Sequence, residues 1–268
     1  MLVGYVQTDP VFGQVKKNLQ QAADLIRSVR ADLLILPELF QTGYLFQSHE
    51  ELEEMAESIP GPTTDFLEKL CQRQNLCLVA GILERDGDNF FNSAVAISSK
   101  GVIGLYRKIH LFLDEKKWFV PGNLPFRTFA YQGASFGMMI CFDWYFPESA
   151  RCLALLGADL ICHPSNLVLP YCQQAMLIRS LENQVFSVTS NRVGEEKRGS
   201  QSLHFTGCSQ IVGPRGNRIQ QSPACEMDVA VREIDLSLAR NKNLTAENHI
   251  WKDRRVEFYE VITEVSEN

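Results

Sequence analysis

G-M-M-I-C-F-D-W-Y-F-P-E, at residues 137–148, runs from an apolar segment through a cysteine into the start of a helix. The run 136–140 is typical of a buried strand, and Pro147 suits the first turn of the helix that follows. A thiol at a strand-to-helix turn is held rigidly, close to backbone N–H groups and the positive end of a helix, and both favour a thiolate. Cys141 is therefore a candidate nucleophile, with a buried structural cysteine as the alternative.

Length and composition are typical of one soluble domain. The chain has 268 residues, 45% of them hydrophobic and 22% charged, and its net charge is −6. Because lysines and arginines occur in clusters no longer than pairs, we expect no nucleic-acid partner. Because no apolar stretch reaches the length of a membrane span and no signal sequence is recognisable, we expect a cytoplasmic protein with no membrane partner. The eight cysteines form no C-x-x-C pair, so no metal site is expected.

Apolar runs typical of strands alternate with segments of helical periodicity. Strands are predicted at 2–6, 33–36, 77–83, 92–98, 101–108, 127–131, 135–141, 159–162 and 185–190. Helices are predicted at 14–30, 63–74, 147–156 and 172–183. This mixture of βαβ units and hairpins predicts a mixed sheet layered with helices. We expect a single domain over 1–268, with 236–268 as a polar C-terminal extension that packs at a subunit interface.

Ionisable residues follow several of these strands, where α/β folds place their chemistry. Glu38 directly follows the strand at 33–36, and its partial desolvation suits a general base. The strand at 101–108 ends in Arg107 and Lys108, whose side chains point to opposite faces, so that one of them can reach a site. Taken singly, these residues could equally be a helix cap and a pair of surface cations. Together with Cys141 they form a minimum set for acyl transfer.

Histidine is not placed by its spacing to serve as the base. His110 and His163 are candidates, but neither follows the Cys-His-Asn pattern of papain-like enzymes. His163 more simply braces the loop that carries Asn166. The polar stretch 195–201 is either a mobile loop or a plain solvated turn.

Several motifs together resemble the nitrilase superfamily of carbon–nitrogen hydrolases, in the order and at about the spacing of that family. They are L-I-L-P-E-L at 34–39, Y-R-K-I-H-L at 106–111, E-K-K-W-F-V-P-G at 115–122, C-F-D-W-Y-F-P-E at 141–148, H-P-S-N at 163–166 and R-S-L-E-N at 179–183. Each motif alone is only suggestive, but the joint signal is highly specific and extends along nearly the whole chain.

The resemblance implies a four-layer α-β-β-α sandwich whose subunits pair as a homodimer or a larger homo-oligomer. It implies that Glu38, Lys108 and Cys141 are catalytic and that Glu115 is a second, positioning glutamate. In the family pattern Glu38 is the general base, while Lys108 and the backbone N–H of Phe142 stabilise the oxyanion. The family chemistry requires no metal or organic cofactor.

Departures from the family pattern bear on the substrate. Family members that hydrolyse N-carbamoyl-D-amino acids carry two arginines where this chain has Trp144 and Tyr145. Because an arginine fork is the natural partner of a carboxylate, its absence favours a neutral or apolar substrate, unless Arg192 supplies a clamp by another route. The candidate substrate-binding residues, for whose aromatic members core packing is an alternative, are Phe40, Tyr44, Phe142, Trp144, Tyr145 and Asn166.

The form C-F-D-W-x-F-P-E-S-A-R most resembles a branch of small amidases and aliphatic nitrilases. The leading hypothesis is an amidase acting on small carboxamides, followed by an aliphatic nitrilase and then an N-carbamoyl amine hydrolase. A catalytically silent subunit that serves as a scaffold, and a metal-dependent hydrolase, are hypotheses of other classes.

Overall fold

Two six-stranded β-sheets form the centre of the protein in a computed structural model, which describes residues 1–264. The strands are β1 (Leu2–Gln7), β2 (Leu33–Ile35), β3 (Cys77–Asp86), β4 (Asn89–Ser98), β5 (Gly101–Arg107), β6 (Thr128–Tyr131), β7 (Ala134–Met138), β8 (Leu160–Pro164), β9 (Phe186–Ser190), β10 (Glu195–Arg198), β11 (Gln201–His204), β12 (Gln210–Val212), β13 (Arg218–Gln221) and β14 (Asp228–Glu233). The helices are α1 (Val15–Arg27), α2 (His49–Met55), α3 (Pro62–Gln74), α4 (Glu115–Trp118), α5 (Pro147–Leu155), α6 (Cys172–Asn183) and α7 (Ser237–Arg240).

Each sheet mixes parallel and antiparallel strands. The first has the order β14-β1-β2-β3-β4-β5, and the second has the order β13-β12-β9-β8-β7-β6. The parallel pairs are β1–β2 and β2–β3 in the first sheet, and β7–β8 and β8–β9 in the second. The carboxyl ends of the parallel strands are where the candidate residues of the sequence lie.

Alternation along the strands separates the layers. In the first sheet Val3 and Tyr5 pack toward the second sheet, whereas Val6 packs in the cluster that contains the buried faces of α1 and α3. Leu153 of α5 and Met176 of α6 join the core of the second sheet. The order of layers is therefore helix, sheet, sheet, helix, which confirms the predicted four-layer sandwich.

The main difference from the predicted elements lies at 195–201. This stretch belongs to the hairpin β10–β11, in which Glu196 pairs with Leu203 and Arg198 with Gln201. It is anchored at its tip, because Gln201 Nε2 donates to Asp114 Oδ2 at 2.8 Å. The stretch is thus a hairpin and not the predicted loop or solvated turn, while its mobility stays a prediction. The sequence does not mark these short polar strands, because they carry no apolar alternation.

The C-terminal extension packs on its own chain as far as the structure describes it. Lys242 Nζ donates to the carbonyl oxygens of Asn183 and Gln184, at 3.0 and 2.7 Å, at the end of α6. Trp251 lies beneath both Lys242 and Arg151 of α5, at 5.3 and 5.0 Å from its ring centroid. The last part of the predicted extension, 265–268, lies outside the described residues.

Candidate active site

A buried cluster of one lysine and two glutamates lies at the ends of the strands. Lys108 follows β5 and its Nζ donates to Glu38 Oε1 at 2.6 Å and to Glu115 Oε1 at 2.7 Å. Glu38 follows β2, Glu115 begins α4, and all three side chains are buried. Arg107 points the other way, to Glu84 and Asp86, as the alternation of a strand requires.

Two features of neighbouring strands fix Glu38. A Cβ on Gly81 of β3 would lie 2.4 Å from the Cα of Glu38, so glycine permits the close crossing of the two segments. Asn92 of β4 donates from Nδ2 to Glu38 Oε1 at 2.6 Å. The second oxygen, Oε2, is buried and has no hydrogen-bond partner within residues 1–264. Glu38 therefore holds one oxygen on Lys108 and Asn92 and keeps the other as a free acceptor.

Cys141 lies in a strained backbone conformation. Strand β7 ends at Met138, and a 3₁₀ turn, Cys141–Tyr145, separates it from α5. Cys141 has φ +39°, in the left-handed region that residues other than glycine rarely adopt. The turn predicted between the strand and the helix is thus present, and it begins at the cysteine.

Asp143 holds this turn from within. Its Oδ2 accepts hydrogen bonds from the backbone N–H of Ile140 at 2.8 Å and from the hydroxyl of Tyr106 at 2.7 Å. Its Oδ1 lies 2.7 Å from Nδ1 of His110. Because Tyr106 belongs to β5, Asp143 ties the cysteine turn of the second sheet to the strand of the first sheet that precedes Lys108.

His163 supports the cysteine from β8. Burial lowers the pKa of His163 to about 4, so the ring is neutral at pH 7. Its Nε2 lies 2.9 Å from the carbonyl oxygen of Cys141 and its Nδ1 lies 3.1 Å from the hydroxyl of Thr189. His163 thus braces the backbone of Cys141 and also the loop that carries Asn166, because Ser165 Oγ lies 3.1 Å from the same ring nitrogen.

The electrostatics of Cys141 differ from the sequence-based expectation of a thiolate. Burial and the negative charge of Glu38 raise the pKa of the thiol well above its ordinary value, although Lys108 and the backbone N–H of Asn166 oppose them. The thiol is therefore neutral at rest and needs a base to ionise it. The local motif could not show this, because the opposing carboxylate comes from a segment about one hundred residues away.

Burial acts in opposite directions on the pKa values of Lys108 and Glu115. Burial opposes the charge of Lys108, but Glu115 and Glu38 together raise its pKa above the ordinary value, so it remains an ammonium. Burial also raises the pKa of Glu115, against the attraction of Lys108. Glu115 accepts two further hydrogen bonds, from the hydroxyl of Tyr44 at 2.7 Å and from the backbone N–H of Phe112 at 2.9 Å.

Two cavities adjoin the cluster. A narrow cleft with only about 10 Å³ of open space contains Cys141 and is lined by Phe112, Phe142, Trp144, Asn166, Leu167, Val168 and Leu169. A larger cavity of about 350 Å³ lies beside Tyr44 and Glu115, with the hairpin β10–β11 as one wall. Both polar atoms of the Asn166 side chain are buried and unpartnered among the described residues, so this carboxamide is available to a ligand in the cleft.

Four of the six predicted substrate-binding residues lie at the candidate site. Phe142, Trp144 and Asn166 line the cleft at Cys141, and Tyr44 lies on Glu115.

Phe40 and Tyr145 lie elsewhere. Phe40 is buried in the core beneath α1 and α3, because Leu39 at φ +46° breaks the alternation after Glu38. Tyr145 is 57% exposed on the surface.

Arg192 does not supply the alternative clamp that the sequence left open. It is buried, and its Nη1 donates to Glu196 Oε2 at 2.6 Å while its guanidinium lies 4.0 Å from the ring centroid of Phe205.

No role for Asn92, Asp143 or Glu196 was predicted from the sequence. A polar Asn92 within the apolar run of β4 was the available signal for the first of them.

Residues 1–264 contain no group of three His, Cys, Asp or Glu side chains placed to hold a metal ion. The same range holds no helix that is both long enough and apolar enough to cross a membrane.

Known proteins are similar to this chain in both sequence and fold. A family model described as carbon-nitrogen hydrolase matches residues 2–243. A protein named nitrilase from Pyrococcus abyssi is 49% identical over 261 residues, which are 96% of this chain and 98% of that protein. A protein named (R)-stereoselective amidase from a Pseudomonas species is 31% identical, over 96% of this chain and 92% of its own. The crystal structure of a carbon-nitrogen hydrolase from Helicobacter pylori G27 superimposes with a TM-score of 0.88 at 25% identity, over 98% of each chain.

The family match covers both sheets and the segments that carry the buried lysine, the two glutamates and the cysteine. The extent of this match and the shared fold confirm the resemblance that the motifs suggested. The chain belongs to the carbon-nitrogen hydrolase family of the nitrilase superfamily and is an enzyme of that class.

Proposed function

We propose that the protein hydrolyses small, neutral carboxamides through a thioester on Cys141. In this proposal Glu38 is the general base and acid, and Lys108 together with the Phe142 backbone N–H stabilises the oxyanion. Glu115 orients Lys108 and the substrate nitrogen. Tyr44, Trp144 and Asn166 complete the binding site.

The unpaired Oε2 of Glu38 is the observation that favours an amide as the substrate. Glu38 Oε2 is a buried acceptor without a partner in the described chain, next to a cysteine whose thiol is neutral. A buried acceptor left unpaired is costly, so a donor is expected to complete it. An amide nitrogen brings N–H donors to the two carboxylates that flank Lys108, whereas a nitrile nitrogen has none.

The reaction follows from these positions. Glu38 takes the proton of the Cys141 thiol as sulfur attacks the amide carbonyl, whose oxygen becomes an anion beside Lys108. The tetrahedral intermediate collapses, the carbon–nitrogen bond breaks, and Glu38 gives its proton to the departing ammonia or amine. A water molecule deprotonated by Glu38 then attacks the thioester. The second collapse releases the carboxylic acid, and the proton on Glu38 returns to the thiolate.

The cleft at Cys141 supports a small, uncharged acyl group. Its lining is apolar apart from Asn166 and the cysteine, and its open space is about 10 Å³. A carboxylate on the substrate would need a charge partner there, and Arg192, the candidate for that role, is occupied by Glu196. The lack of a cationic side chain among the described residues that line the cleft supports a neutral substrate over an N-carbamoyl amino acid.

A nitrile is the second candidate substrate class. It is favoured by the 49% identical Pyrococcus abyssi relative, which is named a nitrilase. Attack of the same thiol on a nitrile carbon gives a thioimidate, and acid and ammonia result only if hydration leads onward to the thioester. In this second candidate reaction the same residues act on the nitrile.

Ammonia release from a matched set of substrates tests the proposal. One small acyl chain is presented as its amide, its nitrile and its N-carbamoyl amine, and turnover is measured for the wild-type protein. We expect the amide to have the highest kcat/KM. Turnover of the nitrile alone would move the assignment to a nitrilase, and preference for the N-carbamoyl amine would contradict the argument from the missing clamp.

We also propose that the protein is a homodimer that pairs through α5, α6 and the C-terminal segment. Large apolar side chains are exposed there, including Leu155, Ile178, Leu181, Phe258 and Ile262. Surface of this kind is typical of an interface. Sedimentation is expected to give the mass of a dimer for the wild type and of a monomer for Ile178→Glu. A monomeric wild type at micromolar concentration would refute this pairing.

A further inference from the structure

A buried ion pair outside the two cavities connects the hairpin to the candidate active site. Arg192 and Glu196 are 1% and 5% exposed. Besides Arg192, the carboxylate of Glu196 binds the backbone of a distant segment: Oε1 accepts from the N–H of Tyr44 at 3.0 Å and from the N–H of Leu45 at 2.5 Å. Neither charged residue is among the described residues that line the cleft or the larger cavity, so neither meets a ligand there.

The segment that Glu196 holds is closely fitted against it. Gly43 has φ +90°, and a Cβ at this position would lie 3.1 Å from Glu196 Oε2 and 2.9 Å from the backbone of Phe12. Phe205 adds a second contact, because its ring packs edge-on against Tyr44 at 6.2 Å and beneath the guanidinium of Arg192. The backbone of Tyr44 is thus positioned by Glu196 of the hairpin, and its ring by Phe205, which follows the hairpin.

Tyr44 connects this segment to the proposed catalytic residues through its hydroxyl group. Its hydroxyl donates to Glu115 Oε1, the same oxygen that accepts from Lys108 Nζ, and the two distances are each 2.7 Å. A shift of the Tyr44 backbone would therefore move the donor that orients Glu115. The charged and titratable groups facing Glu115 are Lys108, Glu38, Cys141 and Tyr44 itself, while Glu196 faces Arg192 and Asp9.

We propose that Glu196 is a positioning residue for the hydrolysis, acting through Tyr44 on Glu115 and Lys108. This inference rests on the proposed function of those residues. Arg192 holds the Glu196 carboxylate, which in turn holds the Tyr44 backbone, and the Tyr44 hydroxyl fixes Glu115.

A double-mutant cycle with Glu196→Gln and Tyr44→Phe tests the connection. Glu196→Gln is expected to lower kcat/KM by about tenfold, mainly through kcat, because the proposed orienting donor is displaced. It should also move the acid limb of the pH profile to higher pH, since the carboxylate of Glu115 loses a hydrogen bond that stabilises its charge. In the Tyr44→Phe background the same substitution should add less than about twofold.

Glu195→Gln is the matched control. Glu195 precedes Glu196 on the same strand, but its side chain is 42% exposed and pairs with Lys197. We expect its kcat/KM and pH profile to equal those of the wild type. If Glu196→Gln does not fold, Glu196→Asp replaces it in the cycle, because it keeps the charge beside Arg192 and draws the carboxylate away from the Tyr44 N–H.

Alkylation of Cys141 separates this inference from the proposed function. The rate of alkylation by iodoacetamide is measured as a function of pH, and mass spectrometry follows the modification on the peptide that contains Cys141. This measurement requires no substrate turnover. We expect Glu196→Gln to shift this profile in the wild-type background and to leave it unchanged in Tyr44→Phe. Equal effects of Glu196→Gln in both backgrounds, or a loss of thermal stability with unchanged profiles, would overturn the positioning role. A wild type that hydrolyses no substrate but shows the expected alkylation pattern would refute only the proposed function.

Discussion

Cys141→Ala is expected to lower kcat by roughly 10⁶-fold, because the proposed reaction has no other nucleophile. Cys141→Gly should be equally inactive but more stable than Cys141→Ala by about 1 kcal/mol, since glycine has no Cβ to oppose a left-handed backbone. The reason is the φ of +39° at this residue, which an L side chain adopts only under strain. Ammonia release and urea unfolding of the two variants measure both effects.

Cys162 supplies the control for this comparison. It is also a buried cysteine but lies within the regular strand β8. Cys162→Ala should retain turnover, and Cys162→Gly should be less stable than Cys162→Ala, because glycine weakens an ordinary strand. Cys141→Gly being less stable than Cys141→Ala would contradict the claim that strain is held at the nucleophile, and retained turnover in Cys141→Ala would contradict the thioester.

Lys108→Met is expected to lower the free energy of unfolding by about 3–5 kcal/mol at neutral pH, because it leaves two buried carboxylates without their cation. Lys108 Nζ is the shared donor to Glu38 and Glu115, and all three side chains are buried. The same variant should lose about 10²–10³-fold in kcat, through the loss of an oxyanion donor. Urea unfolding and ammonia release measure the two effects.

The loss of stability in Lys108→Met should depend on pH. Burial already raises the pKa of Glu115 above its ordinary value of 4.5, and removing Lys108 removes the attraction that opposes this. The folded variant then holds more protons than the unfolded chain, so its stability is retained below about pH 4.5 and is lost as the pH rises through the folded pKa. Relative to the wild type, the deficit should be larger at pH 8 than at pH 5.

Lys117→Met is the matched control for this change. Its ammonium is 63% exposed and pairs with Asp114 at the surface, so its replacement should alter stability by no more than about 0.5 kcal/mol. An equal deficit of Lys108→Met at both pH values would mean that no carboxylate takes up a proton when its cation is removed.

Local pattern predicted the strands, the helices and part of the cluster, whereas the four-layer sandwich was implied by the resemblance to the nitrilase superfamily. Apolar runs mark the strands of the two sheets, and residues directly after a strand end must lie at an edge of a sheet. This reasoning led to Glu38 and Lys108, and the alternation along β5 correctly separated Lys108 from Arg107. The family motifs added Glu115, which lies in a run of mixed charges and follows none of the predicted strands directly.

What the sequence did not predict depends on contacts between distant segments. Glu196 meets Tyr44 across 152 positions and Asn92 meets Glu38 across 54, and neither contact has a periodic signature. Phe40 was a candidate for the pocket, with core packing as the alternative, and it packs in the core because the left-handed Leu39 that follows Glu38 reverses its direction. The roles assigned to the clustered residues remain predictions for the experiments above.

The division of the site between the two sheets has a consequence for synthesis of the protein. Glu38 and Lys108 come from the first sheet and Cys141 from the second, and the first sheet is completed only by β14 at 228–233. A nascent chain that ends just after Lys108 therefore carries the proposed base and oxyanion donor without Cys141. We expect the proposed acyl-transfer centre to form only when nearly the whole chain has emerged and the two sheets have met, so that shorter fragments should not hydrolyse amides.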